Sequence, residues 1–263
     1  MSQISPKDIQ SLRQLAGVGM MEAKRALEAA KGDVPAALKT LREQGLAKSS
    51  ERADRENSQG AIAIGRSADA TAIAQIKCET DFVAKSEGFV ALVQGIADSV
   101  AAKGEAGVAD HQAALDQTKI SLKENIDLGR MVRFETAPGA IVDTYLHVQA
   151  GRGVNATMVE IVGGNAELAH DLALHIAFAR PKYLTRDEVP VDVVTAERDT
   201  LEQITRNEGK PEAARSKIVE GRLGGFFKQI CLLEQEFAKD NKQTISGVLN
   251  GATITRFAQV EIG

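Results

Sequence analysis

Gly60-Ala61-Ile62-Ala63-Ile64 and, further along, Gly139-Ala140-Ile141-Val142 open two stretches that read alike. The first is followed by an apolar run from Thr71 to Lys77 and a helical pattern with Phe89, Leu92, Val93 and Ile96. The second is followed by Thr157 to Val162 and a helical pattern through Leu168, Leu172, Leu174 and Ile176. Apolar runs of strand length, followed by apolar residues at helical spacing, describe strand, turn, strand, helix, twice over. The duplication predicts an α+β fold built from two related α+β subdomains, each packing a short antiparallel sheet against helices.

On the N-terminal side, residues 1–48 read as a head of three short helices. Ser5, Pro6 and Asp8 supply an N-cap oxygen, a preset first-turn dihedral and an acid in the first turn, and Ile9, Leu12 and Leu15 then form an apolar stripe. Gly17 and Gly19 bracket a tight loop, Met21, Leu27 and Ala30 recur at helical spacing up to Gly32, and Asp33 caps a third helix with Val34, Leu38 and Leu41 that is expected to end at Gly45. Residues 49–59 are polar and charged and predict a linker. The first subdomain then occupies 60–138, and the second 139–186 together with 226–263. Residues 187–225 are expected to form a protruding antiparallel helical hairpin, because Glu208-Gly209-Lys210-Pro211 interrupts a long helical pattern. Thr253 to Ile262 alternates well enough for a closing strand.

Composition narrows the function. A chain of 263 residues with 43% hydrophobic content has room for two or three compact units. Its formal net charge is −4, with ten basic and seven acidic residues through Arg55, so the head is mildly basic, the rest acidic, and no general cationic field exists for nucleic acid. Cys78 and Cys231 form no Cys-x-x-Cys pair, which points to a reducing cytoplasmic setting rather than a disulfide or zinc scaffold. No signal core, arginine-rich presequence or bilayer-length apolar run is expected to direct the chain elsewhere. Phosphate loops, dinucleotide turns and serine elbows are missing, and His111, His147, His170 and His175 lack metal-ligand spacing, so no enzyme, cofactor or metal is expected. An enzyme whose catalytic groups lie far apart in sequence is the remaining rival of that class.

The segment Glu79-Thr80-Asp81-Phe82-Val83-Ala84-Lys85-Ser86 stands out, because Phe82 is set among charges that an ordinary core would have to bury with it. Two readings stay open: Phe82 starts a helix and packs onto the sheet, or it is an exposed wedge that completes its burial in a partner. Thr80-Asp81-Phe82-Val83-Ala84-Lys85 resembles the signature of the elongation factor Ts family. The head motif Gly17-Val18-Gly19-Met20-Met21-Glu22-Ala23-Lys24-Arg25-Ala26-Leu27, with Gly32-Asp33, is similar to that family's ubiquitin-associated-like N-terminal domain. Further similarity covers Glu124-Asn125-Ile126, Tyr145-Leu146-His147, Ala179 to Leu184, Gly209-Lys210-Pro211 and Ile218 to Leu223, in order along almost the whole chain.

The resemblance implies a non-enzymatic exchange factor whose partner is elongation factor Tu, with no nucleotide, nucleic acid or membrane bound directly. It assigns Thr80, Asp81, Phe82 and Val83 to the partner surface that dislodges magnesium, and Met20, Lys24, Glu124, Asn125 and His147 to further contacts. For Lys24 a solvated helix face is the plain alternative, and for His147 a buried, satisfied histidine. The hairpin is a peripheral contact in the family or simply solvated helix. Residues 148–155 depart from the family pattern and are expected to form a different, longer loop, and a C-terminal helix found in some members is expected to be absent. A competing reading makes the head a ubiquitin-like or nascent-chain docking module on a scaffold body.

Overall fold

In a computed structural model that describes residues 4–263, the chain divides into two compact units. The first holds the chain through Glu135 together with Leu146–Ala156 and Val260–Gly263; the second holds Thr136–Tyr145 and Thr157–Gln259.

The first unit begins with helices α1 (Pro6–Ala16), α2 (Met20–Ala29) and α3 (Val34–Ser50). The Ser5 hydroxyl accepts from the Asp8 amide at 3.1 Å while the Asp8 carboxylate accepts from the Ser5 amide at 3.2 Å, a reciprocal cap that satisfies two otherwise orphaned donors. Asp33 caps α3 through the Ala36 amide at 3.0 Å. Leu12, Ala16, Ala23, Leu27, Ala37 and Leu41 fill the interior. Leu15 and Met21, expected inside, are exposed. Three helices this short enclose little space, and alanines occupy the close approaches where longer side chains do not fit.

The third helix does not end at Gly45. A Cβ there would lie 2.8 Å from the Ile120 side chain, so this glycine allows close packing rather than termination, and α3 runs on to Ser50. The expected linker is correspondingly more structured: Arg52 is buried and its Nε donates to the Lys48 carbonyl at 2.9 Å.

Strands β1 (Gln59–Arg66) and β2 (Ala70–Cys78) pair antiparallel from Gln59 opposite Cys78 to Arg66 opposite Thr71. A one-turn helix α4 (Asp81–Ala84) follows, and then α5 (Glu87–Lys103). The sheet face toward α5 is small: Ala61, Ala63, Ala72 and Ala74 meet Phe89, Val93 and Ile96. At Gly65 the helix backbone comes so near that a Cβ would sit 2.1 Å from the Ala97 carbonyl oxygen. Residues 104–111 form 3-10 turns, α6 (Gln112–Leu122) follows, and β3 (Asp127–Glu135) pairs antiparallel with β2. Neither α6 nor β3 is announced by the duplication pattern.

Strands β4 (Ala140–Gln149) and β5 (Arg152–Val162) are neighbours, and the tip of this hairpin belongs to the first unit, where Gly153 pairs with Ile62. The long loop expected over 148–155 is not there. Ala150 and Gly151, at φ 51° and 80°, make a two-residue connection whose left-handed backbone matches strand twist, and strand continues on both sides.

In the second unit α7 (Ala166–Ala179) packs Leu172, Ala173 and Ile176 with Val159 and Ile161 of β5. Helices α8 (Val191–Asn207) and α9 (Glu212–Ile230) form the hairpin, joined at its tip by Arg222, which donates to both Glu208 carboxylate oxygens at 2.9 and 2.7 Å. α9 continues beyond 225 because Phe227 and Ile230 share a buried cluster with Val189 and Leu223. The chain closes with β6 (Glu236–Phe237), β7 (Asp240–Thr244), α10 (Ile245–Val248) and β8 (Thr253–Glu261), the last a neighbour of β5. His175 is buried here: the Ala238 amide donates to its Nδ1 at 3.2 Å, so Nε2 carries the proton toward Gln235 Oε1 at 2.9 Å.

Candidate functional site

The turn between β2 and α5 carries an aromatic side chain held outward. Thr80 caps α4, its hydroxyl oxygen accepting from the Val83 amide at 3.3 Å. Asp81 and Phe82 begin the helix, where an acid complements the positive end of the backbone dipole. Period and burial separate the neighbours: Ala84 is fully buried and Val83 packs against the core, while Phe82 on the other side is 75% exposed. The alternative in which Phe82 packs onto the sheet does not describe this structure.

Lys85 organises the exposed pair. Its Nζ donates to Asp81 Oδ2 at 3.0 Å and lies 4.7 Å from the centre of the Phe82 ring, where the ring's negative face attracts a cation. The Lys85 hydrogen bond, more than any other influence, holds the Asp81 carboxyl below the ordinary carboxylate range. Sequence reasoning treated Lys85 only as a flanking charge; its spacings of four from Asp81 and three from Phe82 are the signal that places both on one helix face with it.

Beneath the turn is a polar clamp. Glu124 Oε2 accepts from the amides of Glu79 and Thr80 at 3.0 and 3.1 Å, and Oε1 accepts from the Thr80 hydroxyl at 2.6 Å. The Asn125 amide donates to Glu79 Oε1 at 2.6 Å, and the Asn125 side chain donates to the Ala53 and Arg55 carbonyls at 3.1 and 2.6 Å. Arg55 and Glu79 pair at 3.5 Å. Cys78 lies at the base, its thiol donating to the Thr80 carbonyl at 3.3 Å; burial, then the Glu124 charge, push its pKa up to about 12, so it is no nucleophile. Glu124 and Asn125, assigned to partner contact through the resemblance, are thus engaged within the chain, and Asn125 is only 5% exposed. Both NH2 protons of Asn125 are engaged within the chain, and Glu124 remains half-buried.

The remaining candidates lie elsewhere. Met20 and Lys24 are exposed on α2, Lys24 within 3.7 Å of Glu28 one turn on, and exposed Leu15 and Met21 flank the α1–α2 connection. His147 is exposed on β4, which removes the buried-histidine alternative for it. Among the described residues no group of three or more His, Cys, Asp or Glu is placed to hold a metal ion, and no helix is long and apolar enough to cross a membrane.

Comparison with known proteins adds two findings. Residues 79–263 match the family described as Elongation factor TS, a match that begins at the clamped turn itself. The chain is 42% identical to elongation factor Ts of Leifsonia xyli subsp. xyli, 41% to that of Clavibacter michiganensis subsp. michiganensis and 40% to that of Streptomyces griseus subsp. griseus, with the whole of each chain covered.

Proposed function

The chain belongs to the elongation factor Ts family, and from that premise we propose that it binds elongation factor Tu in its GDP form and speeds GDP release by inserting Asp81 and Phe82 as a wedge. As a translation elongation factor it works where ribosomes do, in the cytoplasm. No bond is made or broken in such an act. A factor that binds Tu more tightly when nucleotide is gone must weaken nucleotide binding by the same ratio, because the two binding free energies are linked. The wedge reading puts that differential contact where Tu positions magnesium and the phosphates.

The observation that carries the reading is an exposed phenylalanine on a turn whose backbone is tied down. Burying the ring in a partner contributes about 1.5–3 kcal/mol. A ten-thousandfold acceleration corresponds to about 5.5 kcal/mol of barrier, so Phe82 supplies a part and other contacts the rest. The exposed Leu15, Met20 and Met21, beside Lys24, form the second surface offered to Tu, with His147 a third contact.

The direct test is release of fluorescent GDP from Tu at matched magnesium, with the native factor and with Phe82→Ala. The native chain should accelerate release, and the variant should lose most of that acceleration at saturating concentration while keeping its circular dichroism spectrum. An intact rate in the variant would rule out the wedge.

A further inference from the structure

We propose that Glu124 is a positioning residue for nucleotide release: through Thr80 it fixes the direction in which Phe82 points, without itself touching the partner. The inference rests on the wedge reading above and adds a residue through which that wedge acts.

A helix of four residues closes too few hydrogen bonds to hold its own geometry, so α4 needs outside support. Glu124 supplies it with both oxygens. Oε2 already accepts two amide protons, which fills its lone pairs, and Oε1 takes the Thr80 hydroxyl proton. With that proton directed to Glu124, a lone pair of the same hydroxyl is turned to the Val83 amide, so the clamp and the helix cap are one linked arrangement. Phe82 begins two residues beyond the capping oxygen, and rotation at Thr80 would swing its ring through solvent.

Glu124 is in turn fixed from both sides. Lys123, at φ 57°, ends α6 in a left-handed conformation that turns the chain back toward β2. Asn125 ties the next residue to Glu79 and to the chain after α3, and Ile126 is buried in the core. Loosening the turn divides Phe82 among several directions, only one of which enters the partner, and the observed activity scales with that competent fraction.

Four variants test this through the maximal GDP-release rate from Tu at saturating factor, a quantity that a simple loss of folded protein does not change. Glu124→Ala should lower it about tenfold. Glu124→Gln should stay within about threefold of native, because its carbonyl oxygen accepts the two amides and its NH2 donates to the Thr80 oxygen. Thr80→Val should match Glu124→Ala. In a background carrying both Asp81→Ala and Phe82→Ala, Glu124→Ala should add nothing, since both side chains of the wedge are already removed.

If Glu124→Ala still lowers the rate in the background lacking both Asp81 and Phe82 side chains, Glu124 contacts the partner itself and the positioning role is wrong. A native maximal rate for Glu124→Ala, where Phe82→Ala is impaired, sinks the clamp and leaves the wedge standing; an unimpaired Phe82→Ala sinks both. Should Glu124→Ala fail to fold, Thr80→Val against Glu124→Gln decides the matter by the same rates.

Discussion

Two phenylalanines reach into solvent to almost the same extent, Phe82 at 75% and Phe178 at 78%, yet the chain holds them in different ways. Phe178 sits near the end of α7, a fourteen-residue helix whose geometry is secured by its own ladder and by buried Leu172, Ala173 and Ile176. Its ring needs no special support, and single exposed apolar side chains are ordinary on protein surfaces. Phe82 sits on a single helical turn that cannot sustain itself, and Glu124, Asn125, Glu79 and Thr80 form a hydrogen-bonded network around its base. Exposure therefore does not single out a working side chain. On the wedge reading, what marks Phe82 is dedicated support for an otherwise unstable exposed position.

The strongest attempt to break this contrast is Phe82→Ala. Its loss of about 1.5–3 kcal/mol of burial in the partner should reduce maximal GDP release about tenfold to a hundredfold, with the melting temperature nearly unchanged. Lys85→Ala removes the cation above the ring and the partner of Asp81, and should lower the same rate about twofold to fivefold, the range set by an exposed cation–π contact. Phe178→Ala should leave release within about twofold of native by the same assay, as expected for a surface ring without a role. A loss as large as that of Phe82→Ala would erase the distinction.

Acid should also separate the two regions. Burial depresses the His175 pKa below its ordinary 6.5, with the Gln235 hydrogen bond opposing but not cancelling that effect. A group whose folded pKa is depressed binds protons first in the unfolded chain, so stability is full above pH 6.5 and declines as pH falls toward the folded value. Protonation at Nδ1 also removes the acceptor for the Ala238 amide. Asp81, by contrast, is held below the ordinary carboxylate range and stays charged through that window. Amide hydrogen exchange between pH 7 and 5, corrected for intrinsic rates, should show protection falling at Ala238 while Val83 keeps its own. His175→Gln should flatten the melting-temperature decline over the same range.

Local chemistry made much of this molecule readable in advance. Ser5 and Asp33 cap helices through amides three residues away, Gly209-Lys210-Pro211 interrupts a helical pattern, and β1 and β2 are apolar runs bounded by polar residues. The Thr80–Lys85 segment is legible because burying Phe82 in a core would drag its charged neighbours with it, and the ring is in fact exposed. β3 is not legible, since Asp127-Leu128-Gly129-Arg130-Met131 is half exposed and carries a glycine that looks like a break. There a Cβ at Gly129 would come within 2.3 Å of the Gln75 amide oxygen, which accepts from the Arg130 amide at 3.0 Å. Gly45 misled in the same manner, its purpose being contact with Ile120 far along the chain.

The sequence by itself determined the capped starts of α1 and α3, the repeated strand–strand–helix plan and the segment bearing Asp81 and Phe82, because each depends on hydrogen bonds or apolar spacing within a few residues. Only the tertiary structure decided that Phe82 points outward, that Glu124 and Asn125 face inward to hold it, and that α3 passes through a glycine without stopping. Those outcomes depend on partners separated by 44 residues for Glu124 and Thr80 and 70 for Asn125 and Arg55. Such pairs meet only when folding closes the loop between them, and nothing in either neighbourhood alone encodes the meeting.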